Sequence, residues 1–438
     1  MEEFFIKAAQ LILSLSILVV LHELGHFIPA RLFKTRVEKF YLFFNPWFSL
    51  FKKKIGETEY GIGWLPLGGY VKISGMIDES MDTEQMEKDP QPWEFRSKPA
   101  WQRLIIMLGG VTVNIILGFA IYMMIMFIWG KTILPSESIP MGLNPSPIVQ
   151  ELGFEKGDKI IYVDGKKLDN VLDINTFLFL RDVKTVTVKN KDGITRNIII
   201  PKGIGKKMFE SGQMIAFSPF IPAIIDSVVP NSSAMLAGLQ KGDLFKKVNG
   251  IEIMDWTSFR DKIQSNKTEN ITIGIERNKR LLEVSLKPNE IGQIGVSVKI
   301  PDISFENKKL SLSESIVEGF NYGYWTLHDY IYQFKYIFSK KGAQQLGGFG
   351  TIGSIFPSSW NWKGFWHTTA LLSIILAFMN VLPIPALDGG HVMFLFYEMI
   401  SGKKPNDKFM EYAQMFGFFL LLALVIYANG NDIYRALS

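Results

Sequence analysis

Four runs of apolar residues, each close to the length needed to cross a lipid bilayer, divide the chain. They cover Phe4 to Ile28, Leu104 to Trp129, Trp366 to about Leu382, and Tyr412 to Tyr427. A helix of roughly 20 apolar residues spans the hydrocarbon core, because each residue advances it by about 1.5 Å. Residues 131–365 between the second and third runs have ordinary globular composition. We therefore predict a multi-pass α-helical membrane protein with four transmembrane helices and one large insert.

The composition agrees with this prediction and narrows the alternatives. Hydrophobic residues make up 47% of the chain, and the net charge is +5. The charge is spread along the chain, with no dense basic tract of the kind that binds nucleic acid. There are no cysteines, so any bound metal must take nitrogen and oxygen ligands. The first run starts with Glu2 and Glu3 and has no small-residue cleavage site, so we expect it to remain in the protein.

The distribution of lysine and arginine predicts the orientation in the membrane. Short loops rich in these residues face the cytoplasm, whereas the charges of a long insert do not count. The loops between the first and second spans and between the third and fourth are both basic. We therefore expect the N-terminus, the insert and the C-terminus to face outward. The residues concerned are Arg31, Lys34, Arg36, Lys39, Lys52, Lys53, Lys54, Arg96, Lys98, Arg103, Lys403, Lys404 and Lys408.

A His-Glu-x-x-His motif lies inside the first apolar run, at His22, Glu23 and His26. Two histidines four residues apart lie on one face of a helix, where both imidazoles can bind one zinc ion. Glu23 lies beside them, in position to take a proton from zinc-bound water. Ionisable groups inside a membrane helix are energetically costly, so the motif indicates a functional site.

A candidate third ligand lies at the end of the third run. Pro383 and Pro385 break the helix there, and Gly389 follows Asp388. Two histidines and one carboxylate would leave the fourth position of zinc open, as in catalytic sites. The predicted topology puts Asp388 and the histidines at the inner ends of their spans, at similar depth. Alternatively, Asp388 caps the next helix.

Two other segments carry predictions that stay open. The glycine-rich stretch from Tyr60 to Gly75 indicates short strands with tight turns. These strands either form a β-hairpin element embedded in the membrane region or a surface hairpin at the interface. Asn114, in the middle of the second span, either packs between helices or contributes to the site.

The insert contains an internal repeat with a constant separation of 85 residues. Gly157-Asp158 and Asp164-Gly165 match Gly242-Asp243 and Asn249-Gly250. Each copy continues with a predicted helix and then alternating strands, and this order resembles the core of PDZ domains. The predicted helices are Val171 to Leu180 and Asp255 to Ile263. The predicted strands are Thr185 to Val188, Asn197 to Ile200, Ile271 to Glu276 and Leu281 to Leu286.

These features predict five segments. Residues 1–130 and 366–438 form the two parts of a membrane domain. Residues 131–219 and 220–301 form two tandem PDZ-like α+β domains. Residues 302–365 form amphipathic helices on the membrane surface, because an aromatic pattern repeats there at helical spacing.

Taken together, the motifs resemble the site-2 protease family of intramembrane zinc metalloproteases, and in particular its RseP-type bacterial branch. The resemblance covers nearly the whole chain and implies a role for each matching residue. His22, His26 and Asp388 would bind Zn²⁺, and Glu23 would be the general base. Asn380, Gly61, Gly63, Gly68 and Gly69 would contact the substrate, with Asn114, Pro383, Pro385 and Gly389 supporting the site. Val111 departs from the family pattern, which usually has proline there.

The resemblance also implies a function. We expect hydrolysis of peptide bonds in or near the transmembrane segments of single-span membrane proteins, such as trimmed anti-sigma factors or signal-peptide remnants. The enzyme would lie in the bacterial inner membrane, with the PDZ-like domains on the periplasmic side and zinc toward the cytoplasm. These domains would exclude bulky substrates or, less favoured, capture peptide tails. A protease of juxtamembrane segments and a non-catalytic PDZ scaffold remain alternatives, whereas a single ionisable cluster argues against a metal transporter.

Overall fold

The computed structural model describes residues 2–66, 68–76, 89–267 and 269–437. Leu67, within the predicted glycine-rich element, lies outside these ranges. The chain forms two compact units. The first combines Met1–Lys131 with Lys309–Ser438, and the second is Thr132–Lys308.

The N-terminal part of the first unit consists of two long helices separated by a small sheet. Helix α1 (Glu2–Leu32) continues about one turn beyond Pro29. The two helices pack closely, because Gly25 of one faces Gly109 of the other and a Cβ on either would clash with backbone. The elements are α1 (Glu2–Leu32), β1 (Val37–Leu42), β2 (Phe44–Ile55), β3 (Thr58–Leu65), β4 (Tyr70–Ile73) and α2 (Ala100–Trp129).

The sheet has the strand order β2-β3-β1-β4. Strand β1 pairs in parallel with β3 and antiparallel with β4, and β2 pairs antiparallel with β3. Gly61 of β3 is therefore paired on both sides, with Tyr41 and with Lys52. The outer strands are β2 and β4.

The second unit contains two hydrophobic cores. One is built from residues between Leu134 and Phe217, the other from residues between Ala223 and Ile294. The strands are β5 (Lys131–Ile133), β6 (Leu143–Pro145), β7 (Lys159–Val163), β8 (Thr185–Lys189), β9 (Thr195–Ile199), β10 (Phe217–Pro219), β11 (Ile225–Val228), β12 (Leu244–Val248), β13 (Ile251–Glu252), β14 (Ile271–Arg277), β15 (Arg280–Leu286), β16 (Val296–Val298) and β17 (Glu306–Lys308). The helices are α3 (Pro147–Gln150), α4 (Ile174–Leu180), α5 (Ile204–Ser211), α6 (Ser233–Leu236) and α7 (Trp256–Ser265).

The two copies of the sequence repeat have the same local geometry. Asp158 and Asp243 are both buried, and each accepts a hydrogen bond from the backbone N–H three residues earlier. Each also pairs with an arginine from a later strand, Arg196 or Arg277. The hydrogen bond to Asp243 raises the pKa of Arg277 above its ordinary value. The predicted helices and strands of both copies are present, with ends shifted by up to three residues.

The C-terminal part of the first unit returns to α2. Helix α8 packs against α2 with its small residues, since a Cβ on Gly319 or Gly323 would meet Met123 or Phe119 of α2. Phe320 and Tyr324, which belong to the aromatic pattern of this segment, are half exposed. The helices are α8 (Leu312–Phe334), α9 (Lys340–Gln345), α10 (Phe349–Ser354), α11 (Trp362–Val381), α12 (Asp388–Ser401) and α13 (Asp407–Leu437).

Within the described residues, four helices are long and apolar enough to cross a membrane. They are Glu2–Leu32, Ala100–Trp129, Trp362–Val381 and Lys408–Leu437. Each contains one of the four apolar runs of the sequence almost completely, which confirms the predicted number of candidate spans.

Candidate metal centre and active site

The break between α11 and α12 brings Asp388 to the histidines of α1. Helix α11 ends at Val381, before Pro383 and Pro385, and Ala386 has a positive φ of 77°. Gly389 is needed at this turn, because a Cβ there would clash with the carbonyl groups of Val381 and Leu382. Asp388 is the first residue of α12, and the N-cap position belongs to Leu387, which makes no side-chain cap. The carboxylate of Asp388 therefore does not serve as the N-cap.

His22, His26 and Asp388 converge on one point. The Nε2 atoms of His22 and His26 are 3.2 Å apart, and Asp388 Oδ2 lies 3.4 Å from each. Within the described residues, this is the one group of histidine and acidic side chains close enough to hold a metal ion.

The spacing of the three atoms fits zinc. Tetrahedral zinc with ligand bonds of about 2.0–2.1 Å holds its ligand atoms about 3.3–3.4 Å apart. Asp388 Oδ2 is buried and has no hydrogen-bond partner among the described residues, which is costly unless another group satisfies it. Two imidazole nitrogens and one carboxylate oxygen also form a donor set typical of catalytic zinc.

Helix α2 contacts the rings of both histidines and orients His26. His26 Nδ1 is 2.8 Å from the backbone carbonyl of Ile106, which can only accept a hydrogen bond. The proton of neutral His26 therefore lies on Nδ1, and the lone pair of Nε2 points at His22 and Asp388. Gly110 leaves room for both rings, since a Cβ there would come within 3 Å of each imidazole.

Glu23 lies beside this cluster and next to strand β4. The backbone N–H of Val71 faces its carboxylate. A cavity of about 70 Å³ opens here, lined by Glu23, the three clustered side chains, Tyr70 and Val71. Glu23 is not part of the metal-binding group. The position beside the cavity suits a residue that exchanges protons with a molecule bound there.

The asparagines named from the sequence both contact His22. Asn114 Nδ2 is 3.2 Å from His22 Nδ1, and Asn380 Nδ2 is 3.3 Å from His22 Nε2. Asn114 is fully buried.

The four glycines named from the sequence occupy two different places. Gly61 and Gly63 lie in β3, an interior strand, where a Cβ would clash with Tyr41 or with the backbone of Phe44. Gly68 and Gly69 precede β4, and Gly69 packs against Val19 and the side chain of Glu23. The structure thus brings Gly69 next to Glu23 and leaves Gly61 and Gly63 inside the sheet.

Sequence reasoning did not single out several residues of the cavity. Tyr70, Val71, His391 and Gln414 line it, and His391 Nε2 is 2.5 Å from the side-chain amide of Gln414. The three-residue spacing from Asp388 puts His391 near the same face of α12 and could have indicated its place. Gln414 gave one weaker signal, as a polar residue within the last apolar helix.

Comparison with known proteins identifies the family. The sequence profile of peptidase family M50 matches residues 10–424, which is nearly the entire chain. The chain belongs to this family of zinc-dependent, site-2-type metallopeptidases. With its four apolar helices, it is an inner-membrane zinc metallopeptidase.

Individual relatives match over their full length. The chain is 27% identical to Regulator of sigma E protease from Haemophilus influenzae, covering 97% of this chain and 98% of the relative. It is 27% identical to Regulator of sigma-E protease RseP from Escherichia coli, covering 99% and 100%. A Vibrio cholerae protein whose name contains the words "zinc metalloprotease" is 28% identical, covering 97% of each chain.

Proposed function

We propose that this protein hydrolyses peptide bonds within the transmembrane segments of single-span membrane proteins. The observation that carries the proposal is the zinc-like spacing of His22, His26 and Asp388 among apolar helices, with Glu23 beside them. His22, His26 and Asp388 would hold the zinc ion, which when bound polarises the scissile carbonyl and activates water. Glu23 takes the proton from the attacking water and delivers it to the leaving amine nitrogen. The Val71 N–H faces the carboxylate of Glu23, and both residues line the cavity.

Strand β4 offers a way to hold an unwound substrate. The carbonyls of a helix are hydrogen-bonded within the helix, so a peptide bond must leave the helix to be attacked. Strand β4 is an outer strand of the sheet and pairs with β1. A substrate segment added along its outer edge would run past Glu23, because Val71 of β4 lies next to that carboxylate. Asn380, whose amide nitrogen lies 3.3 Å from His22 Nε2, would hydrogen-bond the substrate main chain.

We therefore propose that the substrate pairs with β4 and not with β3. Gly61 and Gly63 have no room for a side chain inside the sheet, and both lie in a strand that is already paired on each side. Gly68 and Gly69 remain candidates for substrate contact because they lead directly into β4.

The lysine and arginine bias supports a zinc site toward the cytoplasm and a second unit on the periplasmic side. The equal geometry around Asp158 and Asp243 supports two PDZ-like domains in that unit. We favour a role in excluding substrates with bulky outward domains. Trimmed anti-sigma factors and signal-peptide remnants fit this description.

The test separates metal binding from proton transfer. Purified variants are assayed for zinc content and for cleavage of a single-span substrate in proteoliposomes. Glu23→Gln should keep zinc and lose about 10²–10⁴-fold in turnover. His22→Ala, His26→Ala and Asp388→Ala should lose both. Glu57→Gln, at an exposed glutamate in the β2–β3 turn, is the matched control; full activity in Glu23→Gln contradicts the mechanism.

A further inference from the structure

Asn114 is a fully buried amide in the middle of the apolar helix α2. Its side-chain nitrogen lies 3.2 Å from Nδ1 of His22, and its side-chain oxygen is buried without a hydrogen-bond partner. A buried polar atom left unpaired costs about 1–3 kcal/mol. The amide is therefore in an unusual environment, and packing alone does not explain why it faces an imidazole.

The comparison with His26 shows what His22 needs. The Nδ1–H of His26 donates to a backbone carbonyl, which leaves its Nε2 lone pair free. For Nε2 of His22 to join His26 and Asp388 as a ligand, its own proton must also lie on Nδ1. That N–H requires an acceptor. The group at Nδ1 is the amide of Asn114, which carries an acceptor oxygen and exchanges it with the nitrogen by a half-turn of the side chain.

We propose that Asn114 is a positioning residue for the zinc ligand His22. Its Oδ1 accepts the hydrogen bond from His22 Nδ1–H and so fixes both the tautomer and the ring plane. This inference rests on the proposed ligand set.

Two neighbouring hydrogen bonds agree with this arrangement. The hydroxyl of Ser373 on α11 donates to the backbone carbonyl of Asn114 at 2.7 Å, which fixes α2 at this level. The side-chain amide of Asn380 lies 3.3 Å from the other ring nitrogen, His22 Nε2. With the proton of His22 on Nδ1, Asn380 can donate to the lone pair of Nε2 while Asn114 Oδ1 accepts from Nδ1–H, so one tautomer satisfies both contacts.

The first test measures zinc affinity by chelator competition in a Glu23→Gln background, so that the readout is independent of activity. Asn114→Leu, similar in size but without an acceptor, should weaken zinc binding about 10–100-fold. Asn114→Asp keeps an acceptor oxygen and should bind zinc within a few-fold of the parent. Thr112→Val, which removes a hydroxyl from an exposed position of the same helix, is the matched control and should leave the affinity unchanged.

The second test measures the tautomer directly by ¹⁵N NMR of histidine-labelled, zinc-loaded protein. The His22 signal, assigned through the His22→Ala spectrum, should show a protonated Nδ1. This measurement needs no substitution at Asn114 and decides the matter even if Asn114→Leu does not fold. An unprotonated Nδ1, or parental zinc affinity in Asn114→Leu, overturns the inference. Unchanged zinc affinity in His22→Ala would instead overturn the proposed ligand set.

Discussion

Replacing Gly110 with alanine tests whether the two histidines occupy the positions described. A Cβ at this position of α2 would come within 3 Å of the rings of both His22 and His26, whereas ordinary contact begins at 3.4 Å. Helix α2 cannot retreat easily, because it also packs against α8 and α11. A Cβ 2.4 Å from His26 Nε2 and 2.5 Å from His22 Cε1 would push the rings by about 0.9–1.0 Å to reach ordinary contact, which exceeds the roughly 0.2 Å tolerance of a zinc site.

The expected loss follows from this displacement. Both nitrogen ligands are disturbed at once, so we expect zinc affinity to fall at least 100-fold, equal to about 2.7 kcal/mol. Chelator competition on the purified protein measures it. Gly430→Ala in helix α13 is the matched control, because a Cβ there would meet none of the described residues within 4 Å. Parental zinc affinity in Gly110→Ala, with the fold intact, would refute the reasoning.

Three further predictions concern the rest of the chain. Single cysteines at Lys53 and Lys191 should label from the cytoplasm and from outside respectively, and the opposite pattern would invert the proposed orientation. Asp243→Asn removes a buried carboxylate from its arginine partner and should destabilise the surrounding core by about 2–3 kcal/mol, measured by hydrogen exchange. Asp226→Asn, in an exposed ion pair, is the control and should destabilise it by less than about 0.5 kcal/mol. Gly242→Trp, at a φ of 92°, should let the enzyme cut substrates that still carry a folded outward domain. Lost cleavage of trimmed substrates without that gain would favour capture.

The sequence was informative where the chemistry is local. Helical spacing alone put His22 and His26 on one face, and the predicted topology brought Asp388 to the same depth. The turn geometry of the repeat was also readable, because Asp164-Gly165 and Asn249-Gly250 favour the positive φ angles that both pairs adopt.

The sequence was less informative where tertiary packing determines the position of a residue. A glycine-rich strand can be an edge or an interior strand, and only pairing partners show that Gly61 lies inside the sheet. The aromatic pattern of α8 predicted a helix but not its neighbour in the fold, since Gly319 and Gly323 are the residues that allow the close approach to α2. Tyr70 reaches the cavity through a sheet order that residue patterns do not encode.

The position of the cut in a substrate tests the central claim most directly. A single-span protein is incubated with the wild-type enzyme and with Glu23→Gln in proteoliposomes, and the fragments are identified by mass spectrometry. The account predicts a scissile bond inside the apolar segment, present with the wild type and absent with Glu23→Gln. A cut confined to the polar flanking residues, or an apolar cut that persists in Glu23→Gln, would contradict it.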